Sequence, residues 1–421
     1  MSRETKLRIG LFTDDFYPAS GGIGRSMQTQ IDELVALGHE VTLLAPKHFL
    51  ERPQHCQTVV VPSLYIPGAP PYTCILRHSR RLARRISQTH QFDIVHSQTE
   101  RGALMLAARV ARTQGIPHIH TFHANLAGTH ASQPFGAFWG SMAYFFIINP
   151  AIALAAGKRS CEPVRFAPKT ADGPSFLARF DWHSLATVAS RVDAFSAPAE
   201  FMIQRISDCA EGLAERGRVI PTGVNRELAA LLRERTGRQK SGETVRFFSV
   251  CRLAPEKRVD AIIQAFLKAD IPEAQLDIVG SGAHERTLRR LAAGDGRIHF
   301  HRHLSSMQDI AERYRQADVF VLASHSFDTQ AITITEAVCA GLPIIYCDPR
   351  LSVGVTPKNS LLTPTPEVDD IAASMREVAD EATRQRLSAA SRRLAAGLSA
   401  EAMGRGYVAL YRSVIASTKA G

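Results

Sequence analysis

Residues 317–348, ADVFVLASHSFDTQAITITEAVCAGLPIIYCD, contain two carboxylates, Asp328 and Glu336, eight positions apart. The apolar run 319–323 predicts a strand, the polar residues after it a loop, and 332–340 a helix stopped by Gly341 and Pro343. A helix that opens after a parallel strand aims unpaired N–H groups and the positive end of its dipole at that loop, which suits an anion such as a diphosphate. Asp328 then lies in the loop near the phosphates, and Glu336, inside the helix, can accept hydrogen bonds from a ribose or sugar diol. Arg252 and Lys257 follow another apolar run, Val245–Val250. Two fixed cations at a strand's carboxyl edge can neutralise a leaving diphosphate as its charge develops. The acidic pair alone also fits a Rossmann half whose helix merely begins acidic.

The elements that must position these groups alternate in type. A strand over 6–13, the glycine-rich string DDFYPASGGIGRS, a helix over 26–37 and a strand over 40–45 make half of a doubly wound domain. Gly21 and Gly22 let backbone approach a ligand without a Cβ in the way, although a plain tight turn accounts for them equally well. The second strand ends in Ala45-Pro46-Lys47 with no acid for a ribose, which disfavours a nicotinamide cofactor. A strand over 92–96 and a helix over 100–113 precede IPHIHTFHAN, another strand, with His120 and His123 at its carboxyl end. Such a histidine either bonds a sugar hydroxyl or phosphate or is a satisfied structural group. Pro221 and Gly223 in RVIPTGVNRE suit a turn between domains. Beyond it come strands at 245–250, 275–279 and 298–301, and helices at 259–267, 283–293, 307–317, 369–380 and 401–417.

With 421 residues the chain exceeds what one core usually fills. Hydrophobic residues at 45% and charged residues at 21% are ordinary for a globular protein. The net charge of +10 favours anionic partners, but the excess is spread over both halves. No basic domain or tail supports nucleic-acid binding. Seven scattered cysteines without a CxxC pair read as reduced thiols of a cytosolic protein. The start MSRETKLRIGLFTDD lacks the apolar core of a signal peptide.

ASHSFDTQAITITEAVCAGLP resembles the glutamate, seven residues, glutamate motif of retaining glycosyltransferases of family 4, in the SxxETQGLxxxEAxAxGxP form of several lipid-modifying members. Asp328 stands where that family usually has glutamate, and Ala331 where it has glycine. TDDFYPASGGIGRS is similar to its TDxxxPxxGG loop, which implies that Gly21 and Gly22 face the donor phosphates. His123 matches a histidine that sits beside the sugar's anomeric carbon. VRFFSVCRLAPEKRVDAIIQAF resembles VGRLxxEKxxxxxxxAF, which implies Arg252 and Lys257 on the pyrophosphate, with Cys251 for a glycine. VGSGAHERTLRRLA resembles VGxGxxxxxL, which implies that Gly280 and Gly282 admit the nucleotide base. The likeness covers nearly the whole chain and is weakest over 131–190. It implies an α/β protein of two Rossmann-like doubly wound domains facing a cleft, the GT-B fold. The acceptor-side domain would span 1–222, the nucleotide-sugar domain 223–398, and a helix over 399–421 would cross back to the first. Asp328 and the backbone near Thr329 and Gln330 would hold the sugar of a nucleotide-sugar co-substrate, a UDP-sugar in preference to a GDP-sugar, with no cofactor and no metal.

Two stretches bear on the acceptor. ILRHSRRLARRISQ, 75–88, is a basic amphipathic helix candidate with Arg77, Arg80, Arg81, Arg84 and Arg85 and no acid. It suits an anionic membrane surface or a solvated face packed on its own domain. Residues 113–157 hold no Lys, Arg, Asp or Glu and include Phe135, Phe138, Trp139 and Phe145. Asn149, Pro150 and several glycines are expected to break this run, which excludes a spanning helix and leaves a buried helix pair or an apolar lip in the bilayer interface. The expected partners are a nucleotide sugar, an anionic membrane surface and a lipid acceptor, on the inner face of a cytoplasmic membrane. A soluble sugar acceptor, or a non-catalytic sugar-nucleotide binder, is the alternative.

Overall fold

The computed structural model describes residues 5–15, 22–47, 55–65, 74–131, 134–157, 163–169, 176–234, 244–302, 304 and 306–420. They form two compact units, Met1–Pro221 with Glu401–Gly421, and Thr222–Ala400. The first contains β1 (Arg8–Phe12), β2 (Glu40–Pro46), β3 (Gln57–Val61), β4 (Ser63–Tyr65), β5 (Cys74–Leu76), β6 (Ile94–Ser97), β7 (His118–Thr121), β8 (Ala194–Ala197) and β9 (Gly217–Val219). Seven of these make a parallel sheet in the order β3-β2-β1-β6-β7-β8-β9, while β4 and β5 pair antiparallel. The second unit contains β10 (Val245–Val250), β11 (Ala274–Val279), β12 (Ile298–His301), β13 (Val319–Leu322), β14 (Ile344–Tyr346) and β15 (Ser360–Leu362), in the order β12-β11-β10-β13-β14-β15, again parallel.

Apolar strand residues alternate between two cores on opposite faces of each sheet. Phe247 packs with Ile262, Phe266 and Met375, whereas its neighbour Phe248 packs with Tyr314, Ile334 and Val338. In the first unit Ile9 and Leu11 meet Met27, Ile31, Tyr407 and Tyr411, while Phe12 meets Ala83, Leu106 and Val110. The final helix, Ala400–Ala420, therefore lies on the same sheet face as the first, Gly22–Ala36. A Cβ at Gly404 would stand 2.7 Å from that of Glu33, so the two helices meet only with hydrogen at this position.

Strand order reverses between β1 and β6 in one sheet and between β10 and β13 in the other. Ligands of open α/β sheets bind outside the carboxyl ends of the strands at such points.

Two sequence expectations need correction. The helix expected over 75–88 begins only at Arg80: Cys74–Leu76 is drawn into the β4–β5 pair, and the Ser79 side chain caps Arg80–Thr89 by accepting from Leu82 N at 3.2 Å. The apolar run is not broken at Asn149 and Pro150. Helices Pro134–Ala143 and Asn149–Ala156 are joined by a π-helical turn, Tyr144–Ile148, in which Asn149 N–H bonds to Tyr144 O, five residues back. That wider turn accommodates the missing Pro150 N–H and its ring.

Candidate active site

In the second unit the chain leaves β10 through Cys251, Arg252 and Leu253 into a short 3-10 turn, Pro255–Lys257, and the helix Val259–Ala269. This loop is zipped to the turn after β11. Cys251 N donates to Val279 O (3.1 Å), Leu253 N to Ser281 O (2.9 Å) and His284 N to Leu253 O (3.0 Å). Gly280 (φ +148°) and Gly282 (φ +159°) adopt backbone that L residues avoid. A Cβ would fall 2.0 Å from Cys251 O at the first and 2.3 Å from Leu253 O at the second. Close approach of two backbones accounts for both glycines.

The zip delivers Lys257 to the loop after β13. Lys257 Nζ lies 2.6 Å from Asp328 Oδ1, Asp328 Oδ2 accepts from Ser324 Oγ at 2.6 Å, and the ammonium stands 5.0 Å from the centre of the Phe327 ring. The Lys257 and Asp328 side chains are only 15% and 12% exposed. Arg252 is mostly exposed and pairs with Glu256. Arg258, which sequence reasoning missed, ties the two loops together by donating to Ala323 O (3.4 Å) and Pro366 O (2.6 Å).

Loop 324–331 is held at both ends. Ser326, at φ +59°, donates its N–H to Asp348 Oδ2 at 2.8 Å. Asp348 is buried, which opposes ionisation, yet the Arg350 guanidinium at 2.7 Å and backbone N–H donors hold its carboxyl below the usual range. The Gln330 side chain is committed to the backbone of Thr222, accepting from its N at 2.8 Å and donating to its O at 3.0 Å. Thr329 is buried, so this segment presents its backbone rather than these side chains. Glu336 is buried within the helix Ile332–Cys339 and its Oε2 accepts from the Tyr314 hydroxyl at 2.8 Å. Tyr314 was another partner the sequence did not announce.

His123 belongs to the first unit, after β7. The neighbouring β1 and β6 ends carry Asp14, Asp15, Gln98, Glu100 and Arg101. Asp14 accepts from Leu76 N (2.7 Å), Ala103 N (3.0 Å) and Thr99 Oγ1 (2.8 Å), and burial pushes it up to about 6 against these bonds and Arg101. Asp15 pairs with Arg101. Burial disfavours the Glu100 charge, but His120, 3.6 Å away, together with a backbone hydrogen bond and Arg101, outweighs it and the carboxyl sits low. His123 Nε2 lies 2.6 Å from Gln98 Oε1. Burial, with His120 adding and Glu100 opposing, lowers His123 to about 4, and burial likewise drives His96 well down.

Both rings are therefore neutral at pH 7, which fixes a sign. An unfolded histidine binds a proton below about 6.5, whereas folded His123 refuses it until about 4. The His123 contribution to stability is expected to fall as pH drops through that window, by up to about 3 kcal/mol, with His96 acting in the same direction and Asp14, raised to about 6, opposing both below that pH. Melting curves at pH 7.5 and 5.0 check this: the drop between them is expected to shrink in His123→Gln, and an unchanged drop would contradict it.

Gly22 opens the first helix, and Gly21 lies outside the described residues. Arg77, Arg80, Arg81, Arg84 and Arg85 are all exposed, while Ala83 and Ile86 seat their helix. Arg81, Arg84, Arg85 and Gln88 line a surface pocket. Phe138, Trp139, Phe146, Ile147 and Leu154 are exposed. Phe145 instead packs in a ring cluster with Phe146 and Phe180 (centroids 5.1 Å from each), and the Phe135 side chain lies outside the described ones. The 19 residues Phe138–Ala156 are helical, long and apolar enough to cross a membrane by length and composition, and few of them, Ser141, Ile152, Ala155 and Ala156, are buried.

Two doubly wound units with charged loops at their switch points define a GT-B glycosyltransferase fold. Residues 20–228 match the family described as Glycosyltransferase Family 4 and residues 233–394 match Glycosyl transferases group 1; the chain belongs to this family of glycosyltransferases. It is 27% identical over 367 residues to alpha-monoglucosyldiacylglycerol synthase of Streptococcus pneumoniae, covering 80% of this chain and 70% of that protein. Against a protein of the same name from Acholeplasma laidlawii it is 24% identical, covering 80% of each. The GDP-mannose-dependent alpha-(1-6)-phosphatidylinositol monomannoside mannosyltransferase of Mycolicibacterium smegmatis is 25% identical, over 80% of this chain and 79% of that one. Among solved structures, HepE of Anabaena in complex with UDP superposes with a TM-score of 0.68 at 15% identity, covering 97% of this chain and all of that one.

Proposed function

We propose that this glycosyltransferase moves a hexose from a nucleoside-diphosphate sugar to a hydroxyl of a membrane lipid, retaining the anomeric configuration. The observation that carries the donor half is the part-buried Lys257–Asp328–Ser324 cluster at the β10/β13 switch point, with Arg252 on the same loop as Lys257. Lys257 and Arg252 take the diphosphate, Glu336 the ribose, and Asp328 with the backbone of Thr329 and Gln330 the sugar. His123 bonds the sugar near its anomeric carbon as a neutral ring. The second unit thus serves the donor and the first the acceptor. The bond from the anomeric carbon to phosphate breaks through an oxocarbenium-like state, the acceptor oxygen bonds on the same face, and its proton passes to the departing phosphate oxygen.

A UDP-sugar is favoured, since HepE is described in complex with UDP; relatives that use GDP-mannose keep the other base as the competing outcome. The lipid acceptor rests on relatives named for diacylglycerol and phosphatidylinositol glycosides. The exposed arginine helix and the exposed Trp139, Phe146 and Ile147 suit peripheral attachment to the inner face of an anionic membrane, and Ile152, Ala155 and Ala156 at the other end of the apolar helix are packed in the core of the first unit.

The test is incubation with UDP- and GDP-sugars and a bacterial lipid extract, followed by mass spectrometry and anomeric NMR of the chloroform-soluble products. A lipid gaining one α-linked hexose from an α-linked donor is expected. Nucleotide release with only water-soluble product overturns the lipid acceptor, and an inverted anomer overturns retention.

A further inference from the structure

A continuous line of buried polar side chains runs through the first unit from its last helix to His123, and nothing in the donor chemistry above uses it. His123 Nε2 meets Gln98 Oε1 at 2.6 Å; Gln98 Nε2 donates to Gln30 Oε1 at 3.0 Å; Gln30 Nε2 donates to the Tyr411 hydroxyl at 3.0 Å. The Tyr411 hydroxyl lies 2.8 Å from His96 Nδ1, and His96 Nε2 lies 2.7 Å from Thr121 Oγ1, which meets Ser196 Oγ at 2.6 Å. Gln30, His96, Gln98, Thr121, Ser196 and Tyr411 are each no more than 1% exposed. Gln98 is held at the β1/β6 switch point by its own N–H, which donates to Phe12 O at 2.9 Å.

Each carboxamide offers one accepting and one donating end, so its orientation sets the next group's role. With Gln98 Nε2 on Gln30 Oε1, only Gln98 Oε1 faces the histidine, and an oxygen there requires a proton on His123 Nε2. With Gln30 Nε2 on the Tyr411 oxygen, the Tyr411 proton is directed to His96 Nδ1. His96 then carries its proton on Nε2 and gives it to Thr121, which donates to Ser196. All six links are satisfied with one proton apiece.

We propose that Tyr411, Gln30 and Gln98 are positioning residues that fix His123 as its Nε2–H tautomer, so that the C-terminal helix sets which ring nitrogen serves the sugar as acceptor. This rests on the assignment of His123 to the donor sugar. Burial keeps the Tyr411 hydroxyl protonated and His96 and His123 uncharged, so each link remains a neutral hydrogen bond across the neutral pH range. A buried polar line is costlier than an apolar core unless every member is paired, and here pairing reaches through elements far apart in sequence. Tyr411 stacks edge-on against His96, with centroids 5.7 Å apart, which fixes the rotor end of the line.

The experiment uses the full chain labelled with 15N-histidine, the His123 signals assigned by their loss in His123→Gln. Long-range proton–nitrogen correlation is expected to give an Nε2–H ring in the parent chain and a mixture of tautomers in Tyr411→Phe, which removes one oxygen and little volume. Gln98→Leu is expected to lower kcat at least tenfold with the donor KM within about twofold. Gln98→Glu, which still accepts from Nε2–H, is expected to regain most of that rate at pH 8 and to show a new acid limb, as a carboxylate joins Glu100 and His120 around the ring. An Nδ1–H tautomer in the parent chain, or a Tyr411→Phe variant with unchanged tautomer and rate, overturns the proposal. Full activity in His123→Ala would instead remove His123 from the sugar, leaving the tautomer result to judge the line itself.

Discussion

Lys257→Met is expected to lower kcat/KM by on the order of a thousandfold, the largest single-residue loss in the donor site. Methionine keeps the length of the chain and loses only the charge and its donors. Two effects follow from the 2.6 Å contact with Asp328 and the shallow exposure of both groups. The developing diphosphate loses a sheltered cation that its neighbours do not replace, because Arg252 is more than half exposed and already shared with Glu256, and Arg258 is committed to the Ala323 and Pro366 carbonyls. Asp328 also becomes a carboxylate in a poorly solvated site with Ser324 as its remaining side-chain partner. Breaking one half of a buried pair costs about 3–5 kcal/mol, and about 2 is more apt where some water reaches both groups. The double variant Lys257→Met/Asp328→Asn separates the two: its melting temperature is expected to recover toward the parent value while its transfer rate stays low. If the rate recovered with the stability, Lys257 would be a structural partner of Asp328 and no ligand of the diphosphate. Lys257→Arg is expected to rescue poorly, since a planar fork does not replace a point charge between Asp328 Oδ1 and the Phe327 face.

How far the sequence announces such a site depends on whether neighbours in the chain or distant partners decide the local structure. β10 has the bounds that its apolar run predicts, 245–250, because a strand in the middle of a parallel sheet is a local pattern, and the edge strand β12 also has its expected bounds, 298–301. Arg252, Lys257 and Asp328 lie in loops past β10 and β13, at the sheet's carboxyl edge where the sequence put them, and Glu336 lies inside the following helix as expected. Ile75 and Leu76 were misread because an apolar pair fits either period, and the choice fell to β4, whose Leu64 and Ser63 pair with them. The π turn at Tyr144–Ile148 removed the expected break at Pro150, and no single residue type marks such a turn. The line from Tyr411 to His123 was invisible for a different reason: glutamines and histidines inside strands and helices look solvent-facing until tertiary contacts bury them. Gln330 carries the same lesson, its amide clipped to the Thr222 backbone far away in sequence.

The glycines of the β11 turn are where a local reading and a tertiary one diverge most, and Gly280→Ala puts a number on the difference. A turn glycine that merely leaves room for a ligand tolerates a methyl with modest loss. Gly280 faces the Cys251 carbonyl oxygen, which a Cβ would meet at 2.0 Å, and that oxygen belongs to backbone, not to a flexible side chain. The φ of +148° adds conformational strain of about 1–3 kcal/mol for alanine. The loop from Cys251 to Leu253 must therefore retreat by on the order of 1 Å, stretching the Cys251 N to Val279 O and Leu253 N to Ser281 O bonds. Displacement on that scale can cost about a hundredfold where a catalytic group must be oriented. Arg252 and, one turn later, Lys257 ride this loop, so the expected result is nucleotide binding weakened at least a hundredfold by calorimetry together with a lower melting temperature. Gly296→Ala is the matched control, since nothing lies within 4 Å of its added Cβ. Parent-like nucleotide affinity in Gly280→Ala would mean that the cations reach the diphosphate independently of the zip between the two loops, and the reading of the second unit as a donor site positioned by backbone packing would fall with it.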